Sequence, residues 1–398
     1  MDYSPNVRQL QPSATIAVSS LAKRLKAEGR DVLDLSAGEP DFDTPAHVAE
    51  AAIAGIRAGR TRYTPAAGTP ELRKAIAEEL SARAGRELDW KGVVVSAGAK
   101  QALFNACFSL FGPGDEVLVA APYWTSHPEI VRLARAEPVP VRGNQDRDFR
   151  LTPEDLEGAS SDRTRGLVYS SPCNPTGSVY PASELQAIAE WARDRGVWVL
   201  ADEIYRRIHF GADGEAAPAA GLLELPEASL GPFVLLDGAS KCFAMTGWRL
   251  GFSYCGPELA AKLSALQSHV SSNAATPSQV AALAAYTERD RTAEAVETMR
   301  LAFRRRRDLV VRLFRERLPD FPFVEPRGAF YLFFRADAAF AAGREDATAF
   351  CSWLLEQVGV ALVPGAAFGD DRWVRMSYAT SDEVLEEAIG RMAEALGG

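Results

Sequence analysis

An α/β fold is predicted by two features of this chain. Short apolar runs of the kind buried on both faces of a sheet recur along it, and amphipathic helical stretches alternate with them. A third feature, a switch after Pro277 to long helical periodicity followed by short strands, adds a smaller α+β unit at the end. Together these imply a mostly parallel sheet covered by helices on both sides.

The first strand is the short run Val32 to Leu35, which enters a Gly/Pro turn through Gly38, Glu39 and Pro40. Thr44-Pro45 has the form of an N-cap followed by proline at the first helical position. Val48, Ala52, Ile53 and Ile56 then recur at helical spacing, and Gly59 is placed to end the helix. The same punctuation returns at Thr69-Pro70, with Leu72, Ile76 and Leu80 on one face and Gly85 beyond. Val93 to Val95 reads as a strand and is followed by a helix from Gln101 to Leu110. Val117 to Val119 and Leu167 to Tyr169 are further short apolar runs. A helix from about Glu184 to Arg193 stops at Gly196 and feeds the strand Val197 to Leu200. Phe233 to Leu236 and Leu250 to Tyr254 continue the pattern. In the tail, Val296, Met299, Phe303, Leu309 and Leu313 trace a long helix, and Phe330 to Phe334 and Val374 to Ser377 read as strands. Thr380 and Glu383 stand in capping-box spacing before a last helix with Ala388, Ile389, Met392 and Leu396 on its apolar face. The N-terminal residues are expected to complete this smaller unit.

Composition narrows the function. A chain of 398 residues suggests about two to three domains, and 47% apolar with 24% charged residues supplies ample core. A formal net charge of −9 argues against nucleic acid or an anionic membrane as partner. The run Arg304 to Arg307 spreads around a helix instead of forming one patch, so a solvated helix with interdomain ion pairs is expected. The five cysteines are isolated and odd in number, which speaks against disulfides and CxxC metal sites. The four histidines have no ligand-like spacing, so no metal is expected. The start lacks a basic region leading into an apolar one, and no apolar segment is long enough to cross a bilayer. A reducing cytoplasm is the expected location.

In open α/β sheets, ligands sit beyond the carboxyl ends of the strands. Ser96-Ala97-Gly98-Ala99-Lys100 follows the strand at Val93 and opens a helix, where small residues and free N–H groups make an anion seat. No GxxxxGK pattern accompanies it, so a nucleoside triphosphate is not expected. The aromatic pair Tyr123-Trp124 follows Val119, where a flat ring could stack. Ser170-Ser171-Pro172-Cys173-Asn174-Pro175-Thr176-Gly177 follows Tyr169, and Asp202-Glu203-Ile204-Tyr205 follows the strand ending near Leu200. Gly238-Ala239-Ser240-Lys241 follows Leu236, with Arg249 further on. A lysine in this small, apolar setting can lose its proton and attack a carbonyl, and the serine and arginine could hold a phosphate beside it. Singly, each of these is a turn, a helix cap or core packing. Their collection at one edge of one sheet points to a Schiff-base lysine acting on a phosphorylated aldehyde.

These segments, Ser-Pro-x-Asn-Pro-Thr-Gly, Asp-Glu-x-Tyr and Ser-Lys-x-x-x-Met-x-Gly-x-Arg, make the chain resemble the class I, fold type I pyridoxal phosphate (PLP) aminotransferases. Ala-Gly-Glu-Pro-Asp and Lys-Gln-Ala-Leu-Phe-Asn make it most similar to the bacterial aspartate aminotransferase branch. The resemblance runs from Pro12-Ser13-Ala14-Thr15 to Arg375-Met376-Ser377-Tyr378-Ala379-Thr380. It implies a large domain with a mostly parallel seven-stranded sheet between helices, plus a small α+β domain. The corresponding boundaries are an N-terminal segment 1–45 joining the small domain, a PLP-binding domain 46–290, and a small domain 291–398 with an interdomain helix.

By the same resemblance, Lys241 would carry the cofactor as a Schiff base and, once displaced by substrate, move the proton. Asp202 would pair with the pyridinium nitrogen. Asn174 and Tyr205 would bond the ring 3′-oxygen, and Trp124 would stack on the ring. The Gly98, Ala99 and Lys100 backbone, Ser240 and Arg249 would hold the phosphate, with Tyr63 reaching it from the other subunit of a homodimer. Arg375, with Gly38 and Asn174, would grip the substrate α-carboxylate. The stretch Gln267 to Gln279 contains no arginine for a second carboxylate. In the branch this chain resembles, the lysine of Gly-x-Lys-Gln-Ala-Leu takes that role with N-terminal Ser and Thr, which maps onto Lys100, Ser13 and Thr15. The implied reaction is transfer of an amino group from aspartate to 2-oxoglutarate by a ping-pong mechanism. An aromatic or broader amino-acid aminotransferase is the alternative, and a lyase or oxidase on the same fold ranks below it. Relatives that also aminate prephenate tend to carry a basic residue before Pro-Ser-Ala-Thr. Gln11 stands there, so prephenate is not an expected substrate. A ligand-sensing regulator would need a DNA-binding domain ahead of Pro12, and only about a dozen residues stand there.

Overall fold

A computed structural model describes residues 3–8, 10, 14–211 and 217–397. After the helices Pro5–Arg8 and Ala14–Ala27, the strands follow in the order β1 (Leu33–Asp34), β2 (Val93–Ser96), β3 (Glu116–Ala121), β4 (Glu137–Arg142), β5 (Thr164–Ser170), β6 (Trp198–Asp202), β7 (Phe233–Gly238) and β8 (Gly251–Tyr254). Strands β2 to β8 make one seven-stranded sheet in the order β2-β8-β7-β6-β5-β3-β4. All neighbours are parallel except β8, which runs antiparallel to both β2 and β7.

The predicted two-sided burial follows from the pleat, which sends successive side chains to opposite faces. Val117 and Val119 join Val168, Leu200 and Val234 in a core with the helices Ala99–Leu110 and Pro257–Val270. Leu118 points the other way, with Leu167 and Val199, into a core with the helix Ala182–Arg195. At the β2 end, Val93, Val95 and Phe252 pack against the helices Ala46–Arg57, Pro70–Ala84 and Thr276–Thr287.

Several elements have no counterpart in the apolar patterning, and two of them belong to the large domain's sheet and its cover. Strand β4 reads Glu-Pro-Val-Pro-Val-Arg, and its prolines hide it as a strand because they cannot donate to a ladder. It pairs only with β3 and closes the edge of the sheet, where missing donors are tolerated. The helix Pro257–Val270 is the other, its buried side reduced to Ala260, Leu263 and Gln267.

Helix caps agree in part. Thr69 accepts from Leu72 N as predicted, and Gly85 and Gly196 take the left-handed conformation just past their helices. Thr44 does not cap its helix. Its hydroxyl donates to Ala244 O and accepts from Trp248 Nε1, tying the entry of the helix Ala46–Arg57 to the loop after Lys241. At the last helix, Ser381, not Thr380, accepts from Val384 N, so that helix is capped one residue later than the spacing suggested.

After the helix Thr276–Thr287 the chain enters a 29-residue helix, Arg289–Arg317. It continues through β9 (Phe323–Val324), β10 (Tyr331–Arg335), β11 (Val360–Ala361), β12 (Val363–Pro364) and β13 (Trp373–Ser377). A four-stranded antiparallel sheet has the order β12-β13-β10-β9, and β1 pairs in parallel with β11. Phe303, Val310 and Phe314 of the long helix and Leu385, Ile389 and Met392 of the last helix bury one face of this sheet. Within the arginine run, Arg306 is buried and grips Asp41 with both terminal nitrogens, at 2.7 and 2.8 Å. The Gly38 to Phe42 turn is thereby fastened to the long helix. No described helix is long and apolar enough to cross a membrane.

Candidate active site

A cavity of about 340 Å³ opens where the carboxyl ends of the large sheet face the four-stranded sheet. Lys241 is placed there because β7 ends at Gly238 and the chain turns at once into the short helix Ala239–Cys242. Gly238 is needed for close packing, since a Cβ there would stand 2.7 Å from Gly251 Cα. The Lys241 ammonium donates to Gly38 O at 2.5 Å. Burial lowers its pKa to about 8; Glu39 opposes the fall, while Arg249 and Arg375 add to it. The setting thus brings the neutral, nucleophilic amine that the sequence pattern called for within reach near neutral pH.

Asp202 closes β6 and is buried. One oxygen lies 3.2 Å from His127 Nε2, and the other accepts from Ile204 N. Three residues on, the Tyr205 hydroxyl lies 2.8 Å from that of Tyr331 on β10. Burial, with Tyr331 beside it, pushes the Tyr205 pKa well above the ordinary tyrosine value. Arg375 on β13 is 1% exposed and donates to Asn174 Oδ1 at 2.9 Å and to Ser36 O at 2.7 Å. Its guanidinium carbon sits 4.4 Å from the Tyr331 ring centre and 5.0 Å from that of Phe368. Its Nε has no hydrogen-bond partner among the described residues. A buried cation held by aromatic faces, with a donor still free, is poised for a carboxylate.

The anion seat forms where the helix Ala99–Leu110 begins. Its first-turn N–H groups have no partner within the helix. Gly98 has φ +88°, and a Cβ there would fall 2.5 Å from Arg249 Nη2. Arg249 itself takes a left-handed φ of 54°, unusual outside glycine, which turns its side chain back towards Gly98. Its Nη1 donates to Thr246 O at 2.9 Å. Ser240 completes this corner of the cavity lining.

Lys100 and Thr15 line the same cavity, with Lys100 Nζ 4.9 Å from the Trp124 ring centre. Burial, helped by Arg249, lowers the Lys100 pKa. Ser13 and Gln11 lie outside the described residues. Tyr63 stands apart from the cavity, 88% exposed, on the loop after the helix Ala46–Arg57.

The structure adds two side chains that the sequence reading left out of the site. His127 was seen only as one of several scattered histidines, although its position three residues beyond the Tyr123-Trp124 pair was a usable signal. Tyr331 sits in a run of apolar residues that reads as core strand, and nothing local sets it apart. The expected cofactor fits what is present: donors and a guanidinium around a gap that a Cβ would fill suit a phosphate, and a buried carboxylate suits a ring nitrogen. The Arg375 guanidinium, which lines the cavity, suits a substrate acid. No group of His, Cys, Asp and Glu among the described residues could hold a metal ion.

Residues 30–392 match the model of the aminotransferase class I and II family. Over 98% of both chains, this chain is 41% identical to the aspartate aminotransferase of Geobacillus stearothermophilus. It is 43% identical to the bifunctional aspartate aminotransferase and glutamate/aspartate-prephenate aminotransferase of Petunia hybrida, over all of this chain and 83% of that one. Among solved structures, the aspartate aminotransferase of Thermus thermophilus with maleate superposes with a TM-score of 0.92 at 38% identity, over 99% of each chain. The chain therefore belongs to the class I and II aminotransferases, a family that uses pyridoxal 5′-phosphate.

Proposed function

We propose that this aminotransferase moves the amino group of L-aspartate to 2-oxoglutarate in two half-reactions that share one site. The observation that carries the reading is that Arg375 and Lys100 line one cavity with Lys241, leaving Arg249 for the phosphate. A dicarboxylic amino acid offers one carboxylate to each. When bound, PLP supplies a carbonyl carbon to take up the amino group and a ring to draw electrons from the substrate α-carbon.

The chain's own residues do the rest. Arg375 and Asn174 hold the α-carboxylate, and the Gly38 turn helps orient the α C–H bond. Asp202, supported by His127, keeps a proton on the ring nitrogen. Lys241 Nζ takes the proton from the α-carbon and returns one to the carbon that accepts nitrogen, which its lowered pKa suits. The Gly98, Ala99 and Lys100 N–H groups, Ser240 and Arg249 hold the phosphate. We further assign Tyr63 to the phosphate of a second subunit, which makes the working unit a homodimer with shared sites. We also assign Thr15, which lines the cavity with Lys100, to the distal carboxylate, and Ser13 to the same role. The chain divides into a joining segment 1–45, a cofactor-binding domain 46–290 and a small domain 291–398, and works in the cytoplasm. The test is a spectral titration of the purified holoenzyme with single amino acids. Loss of the lysine-bound absorbance with aspartate and glutamate, but not with phenylalanine, is expected. An equal response to phenylalanine would instead establish a broad or aromatic specificity.

A further inference from the structure

Two buried phenols meet inside the cavity. The hydroxyls of Tyr205 and Tyr331 are 2.8 Å apart, and Tyr331 is fully buried. One hydrogen bond joins them, so only one can be its donor. If Tyr205 donates to Tyr331, its proton is spent and it offers the cavity only a lone pair. If Tyr331 donates, the Tyr205 proton is free to point inward. The surroundings favour the second arrangement. The Arg375 guanidinium lies over the Tyr331 ring at 4.4 Å, drawing electron density from that ring and making its hydroxyl the better donor. The Arg375 charge opposes the upward push of burial on the Tyr331 pKa. The Gly38 turn leaves the space for this hydroxyl, since a Cβ at Gly38 would stand 3.3 Å from it.

We infer that Tyr331 is a positioning residue that donates its phenolic proton to Tyr205, so that the Tyr205 proton is directed at the ring 3′-oxygen. The inference rests on the proposed reading of Tyr205 as a donor to that oxygen. A phenol that receives a hydrogen bond becomes a stronger donor itself. Deprotonation of the lysine-bound cofactor leaves charge on the 3′-oxygen, and a stronger donor there favours the deprotonated form. Tyr331 therefore lowers the pH at which the cofactor's absorbance changes.

The test is the pH midpoint of that absorbance in four holoenzymes: wild type, Tyr331→Phe, Tyr205→Phe and the double variant. Loss of one hydrogen bond should raise the midpoint in Tyr331→Phe by roughly half to one pH unit. In the Tyr205→Phe background the same change should move it by less than about a fifth of a unit, because the relay has lost its carrier. A Tyr331→Phe midpoint equal to wild type would overturn the inference, as would an equal shift in both backgrounds. If Tyr331→Phe cannot be isolated, Tyr331→3-fluorotyrosine decides the matter. It keeps the hydroxyl but makes it a stronger donor, so the midpoint should fall, and an unchanged or raised midpoint counts against the relay. Failure of the underlying reading looks different: wild type would show no lysine-bound absorbance, or Tyr205→Phe would titrate as wild type.

Discussion

Behind the strands that carry Asp202 and Lys241 lies a buried charge cluster whose balance predicts a pH-dependent stability. Arg83, with a side chain 8% exposed, reaches Glu203 at 2.5 Å, Glu224 at 3.1 Å and Asp237 at 3.9 Å. Arg206 also contacts Glu203 and Glu224, while Arg207 is paired with Glu79. Three carboxylates thus share Arg83 and Arg206, and one is best kept protonated. Asp237 is that group: burial raises its pKa from 3.8 to about 7, against the pull of Arg83, the Gly238 N–H and Arg207, and with the push of Glu203. A folded pKa above the unfolded one contributes stability that is complete below the unfolded pKa and is lost as pH rises through the folded pKa. A shift of roughly three units corresponds to a ceiling of about 4 kcal/mol lost between about pH 4 and pH 7. Asp237→Asn replaces the protonated acid by an uncharged amide that can still accept from Gly238 N. Its stability relative to wild type should rise by up to about 1.4 kcal/mol per pH unit across that range and level off above it. Urea unfolding of both holoenzymes at matched cofactor saturation, from about pH 4.5 to 8, measures the difference. Parallel stability curves would refute the reasoning, because they would mean that Asp237 titrates alike in folded and unfolded chains.

Three further outcomes follow from the cavity. Lys100→Ala should lower kcat/KM for aspartate by about 10- to 100-fold, the worth of a hydrogen-bonded charge, and leave phenylalanine nearly unchanged. Equal loss on both would remove Lys100 from the distal carboxylate. Arg375→Lys keeps the charge but loses the planar fork, so kcat/KM should fall at least about 100-fold for every amino donor while the cofactor absorbance persists. Steady-state kinetics with two donors checks this. In the cofactor-free chain, the rate of PLP attachment should climb with pH around a midpoint near 8, since only the neutral Lys241 amine attacks. Stopped-flow absorbance would show a midpoint near the ordinary lysine value of 10.5 if burial had no such effect.

Much of this molecule was readable along the chain because its main signals are local. Apolar runs such as Val93 to Val95 must be buried on both faces whatever their partners, and the residue after such a strand must emerge at its carboxyl end. That logic places Asn174, Asp202, Tyr205 and Lys241 at one edge, and all four line one cavity. Local rules failed where a distant contact competes. Thr44 has the chemistry of a cap, but the loop 200 residues on offers its hydroxyl a better partner. Strand β4 carries prolines against its own propensity, because an edge position beside β3 forgives the missing donors.

The residue types of the site were determined by the sequence: a lysine, a carboxylate with a phenol three residues on, an amide and an anion seat, set by four strand ends. Their strengths were decided only in three dimensions. The Lys241 pKa depends on burial and on charges from Arg249 and, from distant parts of the chain, Glu39 and Arg375. The stacking of Arg375 on Tyr331 and the Tyr331–Tyr205 bond join β13, β10 and the turn after β6. No periodicity can carry that information, because it arises only where the two sheets meet.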